Sequence, residues 1–131
     1  MSELINFNLV SPERKLASLD VLSVIIPGAE GDMTSLPNHA PFLTAIRPGV
    51  LTVNKVDGME EFIVTGGFAE ISDSGTTVLA EHSIPRLEVD KDFLDTLLKD
   101  AETAAETAKD ERQALADLRL NDVRTLIDLL K

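Results

Sequence analysis

Residues 50–65 read VLTVNKVDGMEEFIVT, with two apolar-rich runs, Val50 to Val56 and Glu60 to Thr65, standing on either side of Asp57-Gly58. An Asp-Gly pair tolerates the positive φ of a two-residue type I′ turn, so the stretch predicts a β-hairpin. The signal returns downstream, where Phe68 to Ser72 and Thr76 to Ala80 flank Asp73-Ser74-Gly75. Upstream, Ile5, Phe7 and Leu9 alternate with Asn6 and Asn8, the period of a strand with one buried face, and Val21 to Ile26 is apolar on both faces. Short strands with turn signals about every 8 to 12 residues predict an all-β sandwich or flattened barrel.

The composition changes further on. All seven glycines and all six prolines lie between Pro12 and Pro85, and the remaining 46 residues contain neither. This places a boundary near residue 88, with a β domain over 1–88 and a helical segment over 89–131. Asp90 is the candidate N-cap, Asp92 suits the positive end of the helix dipole, and Leu94, Leu97, Leu98, Ala101, Ala104, Ala105 and Ala108 recur at helical spacing. Ala116, Leu120, Val123, Ile127 and Leu130 form a later stripe, with Leu115, Leu118, Leu126 and Leu129 beside it. That arc spans roughly 200° and calls for two apolar neighbours. Between the stripes, Glu106 to Gln113 has only Ala108 as an apolar residue, yet no glycine or proline enforces a break. Two packings satisfy the pattern. One is a hairpin in which small alanines let two helices approach; the other is a single helix about 60 Å long, buried by another protein.

At 131 residues, with 44% hydrophobic and 27% charged residues, the chain is long enough for one domain with an appendage and too short for two catalytic domains. Its longest uncharged apolar run, Val21 to Pro27, is far below the ~18 residues of a membrane span, and no basic-then-apolar leader opens it, which predicts a soluble, cytoplasmic-type protein. The absence of cysteine excludes disulfides, thiolate zinc sites and cysteine nucleophiles. The net charge of -11 arises from 12 acids and 5 bases in residues 1–89 and 11 acids and 7 bases in residues 90–131. Such a surface repels nucleic acid and anionic lipid and favours a partner with basic loops.

The catalytic inventory is thin. Gly66-Gly67 lacks the Gly-Lys-Ser/Thr of a phosphate loop and reads as a bulge or close strand crossing. His39 and His82 have no ligand spacing, so no metal site is predicted, and no serine lies in a nucleophile elbow. Glu30 and Asp32 flank Gly31 as a carboxylate pair could in a small hydrolase, but two acids on a glycine turn also describe a solvated loop tip.

The run from Pro27 to Gly49 reads PGAEGDMTSLPNHAPFLTAIRPG, in which two proline turns bracket His39 and a glycine turn carries Glu30 and Asp32. The bare reading is two loops that display a fixed polar ridge at one end of the sandwich. The run also resembles the epsilon subunit of bacterial and chloroplast F-type ATP synthases, the counterpart of the mitochondrial delta subunit. That family shows a Glu-Gly-acid turn, then a Pro-Gly/Asn-His-Ala-Pro segment, then Leu-Thr-x-Ile/Leu-x-Pro-Gly. Further matches are Val10-Ser11-Pro12-Glu13, Glu61 to Val64 leading into Gly66-Gly67-Phe68, Glu70-Ile71, and Thr77 to Glu81.

The resemblance implies a ten-stranded β-sandwich followed by a C-terminal helical hairpin, a non-catalytic part of the rotor with no cofactor. The sandwich would bind the gamma subunit and rest on the polar loops of the membrane c-ring, coupling ring rotation to the shaft at the cytoplasmic face of the bacterial inner membrane. By position, Glu30, Gly31, Asp32 and His39 match the family's ring-facing loops. The hairpin would lie folded or extend toward the alpha and beta catalytic subunits, with Lys109, Arg112, Arg119 and Arg124 as its candidate inhibitory contacts. Members that bind ATP carry an aliphatic-Asp-x-x-Arg-Ala motif; Val89 to Leu94 keeps Asp90 but has Phe93 in place of the arginine, which predicts no nucleotide binding. The rival reading from another class is a free-standing ligand-binding sandwich that dimerises through its helical tail.

Overall fold

The chain turns one residue earlier than Asp57-Gly58 suggests. Lys55 pairs with Gly58 across the two-residue loop Val56-Asp57, and Gly58 itself has φ +147°. A type I′ turn needs positive φ at both central residues, and among the described residues only Asp110 is a non-glycine with positive φ, so the turn is not type I′. The same device recurs twice: Gly31 (φ +139°) follows the loop Ala29-Glu30, and Gly75 (φ +149°) follows Asp73-Ser74. At Gly75 a Cβ would lie 2.2 Å from the Asn6 carbonyl oxygen, so only glycine fits there.

The structure, a computed structural model, describes residues 4–37 and 40–130. Its strands are β1 (Ile5–Val10), β2 (Lys15–Val21), β3 (Ser23–Gly28), β4 (Gly31–Ser35), β5 (Phe42–Ile46), β6 (Gly49–Lys55), β7 (Gly58–Val64), β8 (Gly67–Ser72), β9 (Gly75–Ala80) and β10 (Ser83–Pro85). A short 3-10 turn, Arg86–Glu88, leads to helices α1 (Lys91–Thr107) and α2 (Glu111–Leu130). The chain divides into two compact units, residues 1–86 and 87–131.

The strands follow the order β10-β7-β6-β3-β5-β8-β9-β1-β2, with β4 on β3. Only the Gly28–Ile46 pair links β3 to β5, so the sheet folds there into two leaves, β4-β3-β6-β7-β10 and β5-β8-β9-β1-β2. Neighbouring strands are antiparallel except β1 and β9, which pair in parallel. The apolar run Val21 to Ile26 is not one strand. Val21 pairs with Ile5 in one leaf, Ser23 pairs with Asn54 in the other, and Leu22 between them donates its N–H to the Asn54 carbonyl at 2.7 Å.

The core lies between the leaves. Phe7 and Leu9 of β1, Val24 and Ile26 of β3, Leu51 of β6, Val64 of β7 and Val78 of β9 have no exposed surface, and Phe62 and Ile71 have almost none. Burial of each such side chain is worth about 1.5 to 3 kcal/mol. One polar pair crosses this core: Ser35 Oγ and Thr76 Oγ1 lie 2.6 Å apart and tie β4 to β9. Gly67 marks a close strand approach, since a Cβ would stand 2.0 Å from the Leu79 carbonyl oxygen.

In the second unit the apolar stripe breaks at Ala108–Asp110. Asp90 caps α1, its Oδ1 accepting the Phe93 N–H at 2.8 Å, and Asp110 adopts φ +57° to let α2 start. Ala101, Val123 and Ile127 are buried between the helices, with Leu94, Leu97, Leu98 and Leu120 packed against them. The Gln113 side chain closes the link by donating to the Ala105 carbonyl at 2.9 Å.

Candidate functional site

Strand register gathers several turns at one end of the sandwich. Gly28, Ile46, Gly67 and Ala80 lie on adjoining strands in register, and Val10 pairs with Leu79 in parallel beside them. The chain after or before each of these residues therefore emerges at the same edge. This end carries Ser11–Arg14, the Ala29-Glu30 turn, Arg47-Pro48, Thr65-Gly66 and Glu81-His82. Four acids, Glu13, Glu30, Asp32 and Glu81, stand there with three bases, Arg14, Lys15 and Arg47; His82 Nδ1 is 3.9 Å from Glu13 Oε1. Net negative charge at a rigid edge attracts a basic partner.

Glu30 lies in the two-residue tip of the β3–β4 hairpin, and Gly31 and Asp32 open β4, all three exposed. Asp32 Oδ1 accepts from Arg47 Nη2 at 2.5 Å. His39 lies outside the described residues. The segment that carries it leaves β4 at Ser35, opposite Val24 on β3, whereas the hairpin tip follows Gly28–Gly31. At ~3.3 Å per residue the two ends of β4 are about 13 Å apart. Of the polar ridge expected from sequence, the described part is therefore the Glu30–Asp32 turn at the Gly28 end of β4.

A second surface lies on the outer side of the leaf β5-β8-β9. Leu43 (65% exposed), Phe68 (57%) and Leu79 (55%) face outward around a shallow cleft of about 140 Å³, floored also by Glu70 and Thr77. Phe68 and Leu79 are direct cross-strand partners, and Leu43 is opposite Glu70. Sequence reasoning missed this face. The alternation that hides Ala69, Ile71, Val78 and Ala80 necessarily turns Phe68, Glu70 and Leu79 outward, and that was the signal available.

The basic residues of the hairpin are dispersed. Lys109 sits in the link, while Arg112 and Arg119, seven apart on α2, share one face. Arg124 lies about 120° round the helix, where its Nη2 is 3.8 Å from Glu102 Oε2 of α1. Phe93 occupies the first turn of α1, half-buried. The wide apolar arc of α2 is half satisfied: Val123, Leu126 and Ile127 are buried, but Leu115, Leu118 and Leu129 are 70%, 56% and 63% exposed. Among the described residues no group of three or more His, Asp or Glu side chains could hold a metal ion, and no helix is long and apolar enough to cross a membrane.

A stiff two-leaved sandwich with an acidic end and an apolar side, followed by a helical hairpin, defines a protein that works through its surfaces. The family described as ATP synthase, Delta/Epsilon chain, beta-sandwich domain matches residues 4–86. An ATP synthase epsilon chain of Ruegeria sp. is 51% identical over 111 residues, covering 85% of this chain and 81% of the relative. That of Paracoccus denitrificans is 43% identical over 130 residues, covering 98% and 88%. The chain belongs to the ATP synthase epsilon chain family, a non-catalytic subunit of the synthase. The fold is shared with a chain in the structure of the Euglena gracilis mitochondrial ATP synthase OSCP/F1/c-ring assembly (TM-score 0.74, 23% identity, 98% of this chain and 82% of that one). It is shared also with a chain of the Tetrahymena thermophila central stalk and c-ring (TM-score 0.69, 18% identity, 99% and 98%).

Proposed function

We propose that this chain joins the gamma subunit to the c-ring in the rotor, at the cytoplasmic face of a bacterial inner membrane. The apolar face around Leu43, Phe68 and Leu79 is the gamma-docking surface, and the acidic end carrying the Glu30 turn meets the polar loops of the ring. The observation that carries this reading is an exposed apolar strip on the same rigid sheet whose edge gathers the acidic turns. A torque-bearing joint needs two contact surfaces whose separation does not change under load, and a closely packed sandwich provides that.

Replacing Phe68 by Asp tests it. Phe68 is mostly exposed, so fold stability should change by less than about 0.5 kcal/mol, while gamma binding, measured by titration of the purified subunits, should weaken more than about tenfold if Phe68 is a central anchor. Proton-driven ATP synthesis in reconstituted vesicles should fall in step. Unchanged gamma affinity would reject the assignment of this face.

For the hairpin, the exposed row Leu115, Leu118 and Leu129 supports a surface covered by the alpha and beta catalytic subunits, with Lys109, Arg112, Arg119 and Arg124 meeting acidic segments there and restraining hydrolysis. The same leucines would serve a homodimer, and light scattering on the isolated chain separates the two: the rotor reading requires a monomer.

A further inference from the structure

The β3–β4 hairpin that presents Glu30 is not buttressed at its tip. A Cβ at Gly31 would meet nothing within 4 Å, and Ala29 and Glu30 are exposed. What holds it comes from across the leaf junction. Arg47, just past the end of β5, donates its backbone N–H to the Pro27 carbonyl at 3.0 Å, and Ala29 donates to the Ala45 carbonyl at 2.9 Å. The Arg47 guanidinium then spans both strands of the hairpin: Nη1 donates to the Gly28 carbonyl on β3 at 2.6 Å, and Nη2 to Asp32 Oδ1 on β4 at 2.5 Å. The Arg47 side chain is only 31% exposed, while that of Asp32 is 63% exposed. A planar guanidinium reaches two acceptors at once, which an ammonium on a single stem does not.

This arrangement separates the two acids of the turn. The Asp32 carboxylate already faces a cation of its own chain, whereas Glu30, at the tip, has no ion pair among the described residues. We infer that Arg47 is a positioning residue that clamps the β3–β4 turn through Gly28 and Asp32, leaving Glu30 as the carboxylate of this turn offered to a cationic partner loop. The inference rests on the proposed ring-facing role of this end. It assigns Asp32 an internal role, in contrast to its matching the ring-facing loops by position.

The test measures retention of the full chain, paired with gamma, on detergent-solubilised c-ring across a KCl series, with melting of each variant followed in parallel. Glu30→Gln should weaken retention about threefold to fivefold and flatten its salt dependence, the effect of a rim charge. Asp32→Asn should change it less than about twofold, because the amide oxygen still accepts from Arg47. Arg47→Met should reproduce the Glu30→Gln loss and its flattened salt slope, Arg47→Lys should recover part of it, and the Glu30→Gln/Arg47→Met pair should be no weaker than Glu30→Gln alone. Loss by Asp32→Asn equal to that of Glu30→Gln, or additive losses in the pair, would overturn the clamp while leaving the ring contact standing. Wild-type retention by Glu30→Gln would instead remove the ring contact itself, and the inference with it.

Discussion

Three glycines at the ends of two-residue turns look equivalent in sequence and are not. Gly31, Gly58 and Gly75 all have φ between +139° and +149°, a region that side chains other than hydrogen avoid. At Gly58 the added Cβ would find open space, whereas at Gly75 it would strike the Asn6 carbonyl, because β1 and β9 run side by side there. Gly58→Ala should therefore cost about 1 to 2 kcal/mol, from backbone strain alone, and Gly75→Ala at least about 3. Urea denaturation of the two variants checks the difference; equal losses would mean that the β1–β9 approach is not tight. The turn chemistry was legible at these residues, but the loop position was not. An Asp-Gly pair suits positive φ at both residues, and only the pairing of Lys55 with Gly58 shows that glycine alone takes it.

At the scale of elements, strands with apolar alternation were readable and the others were not. Ile5, Phe7 and Leu9 announce β1, and all three are buried. In β4 the inward positions are Met33 and Ser35, and the serine is satisfied by Thr76, 41 residues away, so no apolar period marks the strand. Leu22 conceals the step from one leaf to the other because an apolar residue at the crossing continues the run. The start of α1 was visible, since Asp90 precedes a helical period and caps it as expected. Asp90→Ala should lower helix stability by about 1 kcal/mol. The helical circular dichroism signal should then melt earlier, while the near-ultraviolet signal of Phe7, Phe42, Phe62 and Phe68 in the sandwich, four of the five phenylalanines, stays in place. Simultaneous loss of both would show that the units melt as one.

For the whole molecule, the two units differ in what supports them. The sandwich buries a continuous set of large side chains, whereas the hairpin's own cluster consists of Ala101, Val123 and Ile127 with partly covered leucines. Leu87, at the division between the units, is 100% exposed. Chymotrypsin should cut there early, as mass spectrometry of the first fragments would show. The sandwich fragment should retain a cooperative melt, and the released hairpin should lose most of its helicity, because chains below about 50 residues rarely bury enough surface to fold alone. A stably helical fragment would contradict this.

The amino-acid order alone determined the β-then-helical layout, the glycine turns, the N-cap of α1 and the order of motifs that marks the family, because each is a local preference or a short-range period. Tertiary structure decided the rest: the crossing between leaves at Leu22, the parallel β1–β9 pair, and the Arg47 clamp on Gly28 and Asp32. These depend on residues 15 to about 70 positions apart meeting across a sheet, and no local pattern encodes which strand lies beside which.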